Sequence, residues 1–109
     1  MEAYKMTAFE LSKLLQEKKL STAELTQSVF DRIETVEPDV QAYITLTREA
    51  ALEKANAVDQ KRAAGETLSP LAGLPVGIKD NICTKGVPTT CASKMLGNFV
   101  PPYNATVMD

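Results

Sequence analysis

The chain has 109 residues, enough for one domain or part of one. Hydrophobic residues make up 44% of it and charged residues 24%, which is typical of folded globular proteins and excludes a disordered chain. The formal net charge is -2, so the chain has no basic field to attract nucleic acid or anionic lipid, and any RNA partner is expected to be held by another chain.

Residue types that are scarce or missing exclude further classes of function. The sequence has no histidine, which excludes Ser-His and Cys-His catalytic pairs and leaves zinc sites short of ligands. Cys83 and Cys91 are the only cysteines, and we interpret both as reduced thiols because small disulfide-stabilised secreted proteins use more. Since neither a secretory signal nor a run of about 18 apolar residues is present, we expect a cytoplasmic protein without membrane contact.

Two amphipathic helices are predicted at the start of the chain. Each follows a capping box, a Ser or Thr with Glu three residues later, at Thr7/Glu10 and at Ser21/Glu24. Helical spacing of apolar residues predicts the first helix over residues 8–18. The second has an apolar stripe made of Leu25, Val29, Ile33 and Val36. We predict that Pro38 ends this second helix, because proline interrupts the helical hydrogen bonds.

The next elements are a strand and a third helix. Residues 42–47 alternate with period two and are rich in strand-forming types, which predicts a short strand. A helix is predicted over residues 48–64, and Gly65 is a natural helix terminator. Beyond a polar connector, residues 71–104 are rich in Gly, Pro, Thr, Ser and Asn, and we predict that the chemistry lies there.

Residues 76–82 are predicted to form a strand that carries Lys79. Alternation along this strand places Lys79 on the face opposite Val76 and Ile78, beside Gly77, which leaves room for a substrate or another backbone. A lysine in a water-poor pocket is easier to deprotonate and can act as a base, whereas most lysines simply extend into solvent or pair with an acid. The pattern alone favours the second interpretation for Lys79.

The amino-acid sequence around Lys79 shifts the balance toward a catalytic role. Residues 73–81 read Gly-Leu-Pro-Val-Gly-Ile-Lys-Asp-Asn, and this sequence strongly resembles the lysine strand of the amidase-signature family. The Pro-x-Gly-x-Lys-Asp pattern is typical of the family as a whole. Residues 89–96 and 104–107 resemble more narrowly the amidase subunits of tRNA-dependent amidotransferases, and the helical first half is similar to their amino-terminal region.

This resemblance implies a Ser-Ser-Lys triad, in which one serine attacks an amide, a second serine on a cis peptide relays the proton, and lysine accepts it. Lys79 matches the catalytic lysine. Nothing in the chain matches the Gly-Ser-rich loop that supplies both serines and the oxyanion-binding amides, and Ser69 and Ser93 are not substitutes. Without a nucleophile and oxyanion donors the chain alone is predicted to be inactive.

The resemblance also implies partners and cofactors. The parent subunit would release ammonia from glutamine within a heterotrimer that amidates Glu-tRNA(Gln) or Asp-tRNA(Asn), with tRNA bound through the complex. ATP and magnesium would be used by a different subunit. The absence of a Gly-rich phosphate loop agrees with that division, and no cofactor or metal is expected in this chain.

The other polar residues have both a structural and a functional interpretation. We predict that Asp80 makes structural hydrogen bonds or ion pairs. Cys83 and Cys91 are predicted to be packing residues, because no thiolate-stabilising group is evident. The four small residues after Thr89 are weak candidates for substrate binding, or else a turn that bonds to itself: Thr90, Cys91, Ala92 and Ser93. Asn104 is predicted to cap a helix starting at Ala105.

The sequence therefore predicts an α/β protein, with amino-terminal helices and the first strands of an amidase-signature mixed sheet in an incomplete domain. Residues 1–65 would be mainly a helical layer, and residues 71–104 the lysine strand and pocket loops. We expect an amino-terminal fragment of an amidase subunit. Two alternatives stay open, another amidase-signature hydrolase acting on a free amide and a non-catalytic helical docking fragment.

Overall fold

Three α-helices dominate the computed structural model, which describes residues 2–109. They are α1 (Ala8–Gln16), α2 (Thr22–Val40) and α3 (Arg48–Ala63), and single 3₁₀ turns lie at Ala3–Lys5, Lys94–Leu96 and Thr106–Met108. The chain divides into two compact units, the residues up to Pro75 and Val76–Asp109. All three α-helices belong to the first unit.

Both predicted capping boxes are confirmed at the starts of α1 and α2. The hydroxyls of Thr7 and Ser21 accept from the main-chain N–H of the glutamate three residues on, and each glutamate accepts from the main-chain N–H of its cap residue. The bond from the main-chain N–H of Thr7 holds the pKa of Glu10 below its ordinary value, and Ser21 does the same for Glu24. Local sequence therefore sets both helix starts.

Replacing either cap residue by alanine is expected to lower the free energy of unfolding by about 1 kcal/mol, because the main-chain N–H of the glutamate three residues on loses its acceptor. Urea denaturation of Thr7→Ala and Ser21→Ala, followed by far-ultraviolet circular dichroism, measures this effect. Ser28→Ala, in the interior of α2, is the matched control and is expected to be neutral or slightly stabilising. Equal behaviour of the cap and control variants would contradict the assigned role.

Helix ends follow the predictions less closely. α1 ends at Gln16 instead of residue 18, because Lys18 has a left-handed backbone (φ 56°). The N–H of Lys19 bonds to the Leu14 carbonyl at 3.0 Å, which completes a Schellman motif. α3 ends in the same way, with Gly65 at φ 81°. The end predicted for α3 was correct to within one residue.

The prediction that Pro38 ends α2 was wrong. Pro38 lies inside the helix, which continues to Val40 and ends where Gln41 turns left-handed (φ 51°). Proline removes one N–H, yet only two helical residues follow it, and the N–H of Gln41 still bonds to the Glu37 carbonyl at 2.8 Å. A proline in the last turn thus costs little helical structure.

The predicted strands are absent. No β-strand occurs in residues 2–109, so residues 42–47 and 76–82 are not strands there and the predicted mixed sheet is not formed. Tyr43, Ile44 and Leu46 are exposed instead of alternating between a core and solvent. A strand exists only when a neighbour pairs with its main chain, and no segment among these residues does so. A pattern of residue types does not supply that neighbour.

The first unit has a small apolar core where the amino-terminal 3₁₀ turn, α1 and α2 meet. Its buried members are Ala3, Leu11, Leu15 and Leu25, with Met6, Leu20, Val29 and Leu74 packed against them. The α2 stripe is buried at Leu25 and only half-buried from Val29 onward. Leu74 brings the connector after α3 back to this core, so residues 70–75 have a defined path.

Hydrogen bonds and a close glycine contact hold that connector in place. Asp59 of α3 accepts from the first two amides of α2, those of Thr22 (2.8 Å) and Ala23 (3.0 Å). Arg62 pairs with Asp59 and donates to the Thr22 hydroxyl and to the Ala72 carbonyl, both at 3.1 Å. Gly73 has φ 92°, and a Cβ there would lie 2.6 Å from the Thr22 hydroxyl oxygen. Glycine is therefore required at this crossing.

Candidate active site

Lys79 lies in the second unit, at the end of a stretch without regular secondary structure. Its carbonyl accepts from the N–H of Ile82 at 3.1 Å, so the chain turns directly after the lysine. The Lys79 side chain is exposed, and no carboxylate among residues 2–109 forms a salt bridge with it. Val76 is 73% exposed and Ile78 is exposed as well, so the apolar residues next to the lysine are also uncovered. The water-poor pocket that would favour a neutral lysine is not formed by these residues.

Asp80, the next residue, is the centre of a hydrogen-bond network with residues 90–92. Its carboxylate accepts from the Thr90 N–H at 2.9 Å and from the Thr90 hydroxyl, and it lies 3.5 Å from the Ala92 nitrogen. Its carbonyl accepts from the Cys91 N–H at 2.9 Å. The hydroxyl and main-chain N–H of Thr90 hold the pKa of Asp80 below its ordinary value. Asp80 thus has the hydrogen-bonding role that the sequence predicted.

The four weak candidates for substrate binding form one tight turn. The Ser93 N–H bonds to the Thr90 carbonyl at 2.8 Å, and the two central residues both have positive φ, 50° at Cys91 and 55° at Ala92. This is the backbone sign pattern of a type I′ turn, which usually carries Asn or Gly. The turn bonds to itself, as the structural interpretation predicted. A role in substrate binding stays a prediction.

The rest of the second unit is held by main-chain bonds between residues 83–89 and 99–105. The Ala105 N–H bonds to the Cys83 carbonyl at 2.8 Å, and the Thr89 N–H bonds to the Phe99 carbonyl at 3.1 Å. Asn104 does not cap a helix as predicted, because its side-chain oxygen accepts from the Lys85 N–H at 2.8 Å. Residues 106–108 accordingly form a single 3₁₀ turn without a side-chain cap.

Both cysteines are free thiols, as predicted. The Cys83 sulfur lies 3.6 Å from the Tyr103 hydroxyl and raises the pKa of that tyrosine. Cys91 is exposed on the turn. Cys83 is half-buried against Tyr103, in agreement with the predicted packing role, whereas the exposure of Cys91 shows that the packing prediction was wrong for that residue.

Ser69 and Ser93, the two serines considered above as substitutes for the catalytic pair, both make structural contacts. The Ser69 hydroxyl accepts from the Leu71 N–H at 3.2 Å, and the Ser93 N–H closes the turn described above. Neither hydroxyl bonds to a base among residues 2–109. Within this part of the chain no group of three or more acidic or sulfur ligands is placed to hold a metal ion. No helix in residues 2–109 has the length and apolar character needed to span a bilayer.

Sequence reasoning missed the contact between Asp80 and Thr90. The two residues are ten positions apart, and no period or spacing rule joins them. The signal that was available is the combination of an aspartate at the end of an apolar run with a Thr-Thr pair that follows a turn. That combination indicates bonding capacity but does not identify the partner.

The lysine, the aspartate and the turn lie in the part of the chain that matches a known family. A family model described as Amidase matches residues 24–109. The chain belongs to the amidase family, and the resemblance predicted from residues 73–81 is confirmed.

Individual relatives are named as components of one kind of enzyme. The chain is 59% identical over 108 residues to the A subunit of glutamyl-tRNA(Gln) amidotransferase from Moorella thermoacetica, covering 99% of this chain and 22% of the relative. It is 55% identical over 109 residues to the protein of the same name from Desulforamulus reducens, again covering 22% of the relative. The chain therefore spans about a fifth of the length of the curated relatives it matches.

A solved structure has the same fold over most of the chain. It superposes with a TM-score of 0.90 at 28% identity, covering 94% of this chain and 23% of its own. That structure is described as a vestigial protein complex that reveals the evolutionary origins of an s-triazine catabolic enzyme. The arrangement of helices and loops described above is thus an amidase-family arrangement.

Proposed function

We propose that this chain is the amino-terminal segment of the glutamine-hydrolysing subunit of a tRNA-dependent amidotransferase, and that Lys79 is the catalytic base of that subunit. The observation that carries the proposal is the 59% identity, over nearly the whole chain, with a relative named as the A subunit of such an enzyme. The Lys79 segment supports it, because it has the family's lysine in the family's sequence context.

In this proposal, these residues supply only the base of the reaction. A lysine amine can accept the proton that a serine hydroxyl loses as it attacks the amide carbon. The serine pair and the oxyanion donors come from other residues of the complete subunit. Those residues also cover Lys79, and burial then favours its neutral, proton-accepting form. Residues 76–79 join the mixed sheet of the complete domain, which covers the exposed Val76 and Ile78.

The remaining chemistry belongs to other subunits of a heterotrimer in the cytoplasm. The ammonia released from glutamine amidates Glu-tRNA(Gln) or Asp-tRNA(Asn) in a reaction that uses ATP and magnesium. These bind on another subunit, and tRNA contacts the complex without direct contact to this chain. A net charge of -2 supports the last point, because direct tRNA binding requires a basic surface.

A second candidate is an amidase-family hydrolase that acts on a free amide. The observation that favours it is the TM-score of 0.90 with a structure linked to an s-triazine catabolic enzyme, whose description does not involve tRNA amidation. The two candidates differ in the fate of the ammonia. A hydrolase releases it, whereas an amidotransferase transfers it to an aminoacylated tRNA.

The complete subunit with its partners is expected to release ammonia from glutamine. The 109-residue chain alone is expected to release none, because it lacks both catalytic serines of the triad and the oxyanion donors. Coupled detection of ammonia at high protein concentration measures both. Turnover by the purified chain that disappears in its Lys79→Ala variant would contradict this assignment. Hydrolysis of glutamine by the complex without transfer to tRNA would favour the second candidate.

A further inference from the structure

The turn at residues 90–93 has a backbone that its own sequence does not favour. Cys91 and Ala92 both have positive φ, where an L side chain crowds the main chain, and each such residue costs about 1 kcal/mol or more relative to a right-handed backbone. Sequences that choose this turn type freely use Asn and Gly at these positions. An interaction outside the two residues must therefore hold the turn in shape.

Asp80 supplies that interaction. Three groups of the turn bond to it: the N–H and hydroxyl of Thr90 to its carboxylate, and the N–H of Cys91 to its carbonyl. The Thr90 hydroxyl oxygen also accepts from the Ala92 N–H at 3.2 Å, so the second left-handed residue is held through Thr90. A carboxylate that accepts several such bonds fixes geometry more firmly than neutral partners do.

All four N–H groups of the turn are used internally. Those of Thr90 and Cys91 bond to Asp80, that of Ala92 to the Thr90 hydroxyl, and that of Ser93 to the Thr90 carbonyl. None is left to stabilise an oxyanion. What the turn presents to its surroundings is the exposed surface of Cys91 and Ala92. It can therefore act as a shaped wall but not as a set of hydrogen-bond donors.

We propose that Asp80 is a positioning residue for amide hydrolysis, which holds the turn at residues 90–93 as one wall of the substrate pocket beside Lys79. The inference rests on the proposed function, because it takes Lys79 as the base. The main-chain bond between the Cys91 N–H and the Asp80 carbonyl holds the turn against the residue that directly follows this lysine. The wall contacts substrate, whereas Asp80 acts only through the wall.

This role predicts a particular kinetic change. In the complete subunit, Asp80→Asn is expected to raise KM for glutamine about tenfold and to change kcat less than about threefold, because the wall is displaced while Lys79 and the serines remain. The amide of asparagine presents a donor where one carboxylate oxygen accepted. Thr90→Val removes the hydroxyl and is expected to act similarly, and Thr90→Ser is expected to lie closer to the wild type than Thr90→Val.

Non-additivity and a matched control sharpen the test. Asp80→Asn combined with Thr90→Val is expected to raise KM no more than the more severe single variant, since both break one network. The control is Asp109→Asn, which neutralises the only other acidic residue of the second unit and is expected to leave KM unchanged. Hydrogen exchange of the Thr90 and Cys91 amides is expected to be about tenfold faster in Asp80→Asn, because opening the network exposes them to water.

A merely structural role gives a different result. It would lower the amount of folded enzyme, and thus the apparent kcat, with KM unchanged, and that outcome would overturn the inference. Unchanged amide exchange in Asp80→Asn would overturn it as well. If the wild type hydrolyses small primary amides but not glutamine, the proposed function fails and the same variants are scored on those amides. If it hydrolyses neither, both proposals fail.

Discussion

In the complete subunit, Lys79→Ala is expected to lower glutamine-dependent ammonia release by about 10³-fold or more, because the serine nucleophile loses its proton acceptor. Lys79→Arg is expected to be as inactive as Lys79→Ala. Arginine keeps the charge and reach of lysine but stays protonated, so it cannot accept a proton. Steady-state ammonia release by the assembled complex measures both variants.

Two controls make this result specific to a base. Amidation with free ammonia is expected to be retained in both variants, since that chemistry is assigned to another subunit. Lys85→Ala, which removes another exposed lysine of the same unit, is expected to behave as the wild type. Activity restored by arginine would indicate an electrostatic role for Lys79. Loss of both activities in a folded, assembled variant would mean that Lys79 is structural.

The helical unit is expected to lose about 2 to 3 kcal/mol of unfolding free energy in Asp59→Ala, because two amides of α2 and the half-buried Arg62 lose their shared acceptor. Arg62 also bonds to the Ala72 carbonyl, so the connector is expected to loosen together with the helix start. Urea denaturation followed by circular dichroism measures the loss. Glu53→Ala, at an exposed position of α3 without a side-chain partner among residues 2–109, is the matched control.

Protonation of Asp59 gives this effect a pH signature. Partial burial acts against ionisation, but the bonds from Ala23 and Thr22 together with the Arg62 charge outweigh it, so the pKa of Asp59 lies below its ordinary value of 3.8. A carboxyl whose pKa falls on folding stabilises the fold above its unfolded pKa, and that contribution is lost as the pH falls through the folded value. The difference in stability between wild type and Asp59→Asn is therefore expected to be constant near neutrality and to shrink below about pH 4. A difference that stays constant down to about pH 2 would contradict this.

The helices could be predicted because the interactions that begin and end them are local. The Thr7 and Ser21 boxes join residues three positions apart, and Gly65 ends α3 through its own backbone freedom. The error at Pro38 has a local cause too, since the penalty for proline depends on how many helical residues follow it. Residue types were therefore sufficient for the helix starts and for the end of α3, but not for the ends of α1 and α2.

The strands and the Asp80 contact could not be predicted in the same way. Residues 42–47 and 76–82 have strand-forming residue types, yet no neighbour pairs with them among residues 2–109. The turn at residues 90–93 is held by an aspartate ten positions earlier, and its central residues are not ones that favour positive φ. Pairing of this kind depends on which segments meet in space, and a pattern of residue types does not specify that.

The bond between Asp59 and the start of α2 has a consequence for the order of events during synthesis. Thr22 and Asp59 are 37 residues apart, so at ribosomal rates of about 5–20 residues per second the α2 amides wait about 2 to 7 s for their carboxylate. The Ser21 box needs only the next three residues and can form as soon as they leave the exit tunnel. The nascent α2 is thus held at first by its own cap alone. It acquires its second support, and the fixed path of residues 70–75, only after α3 has emerged.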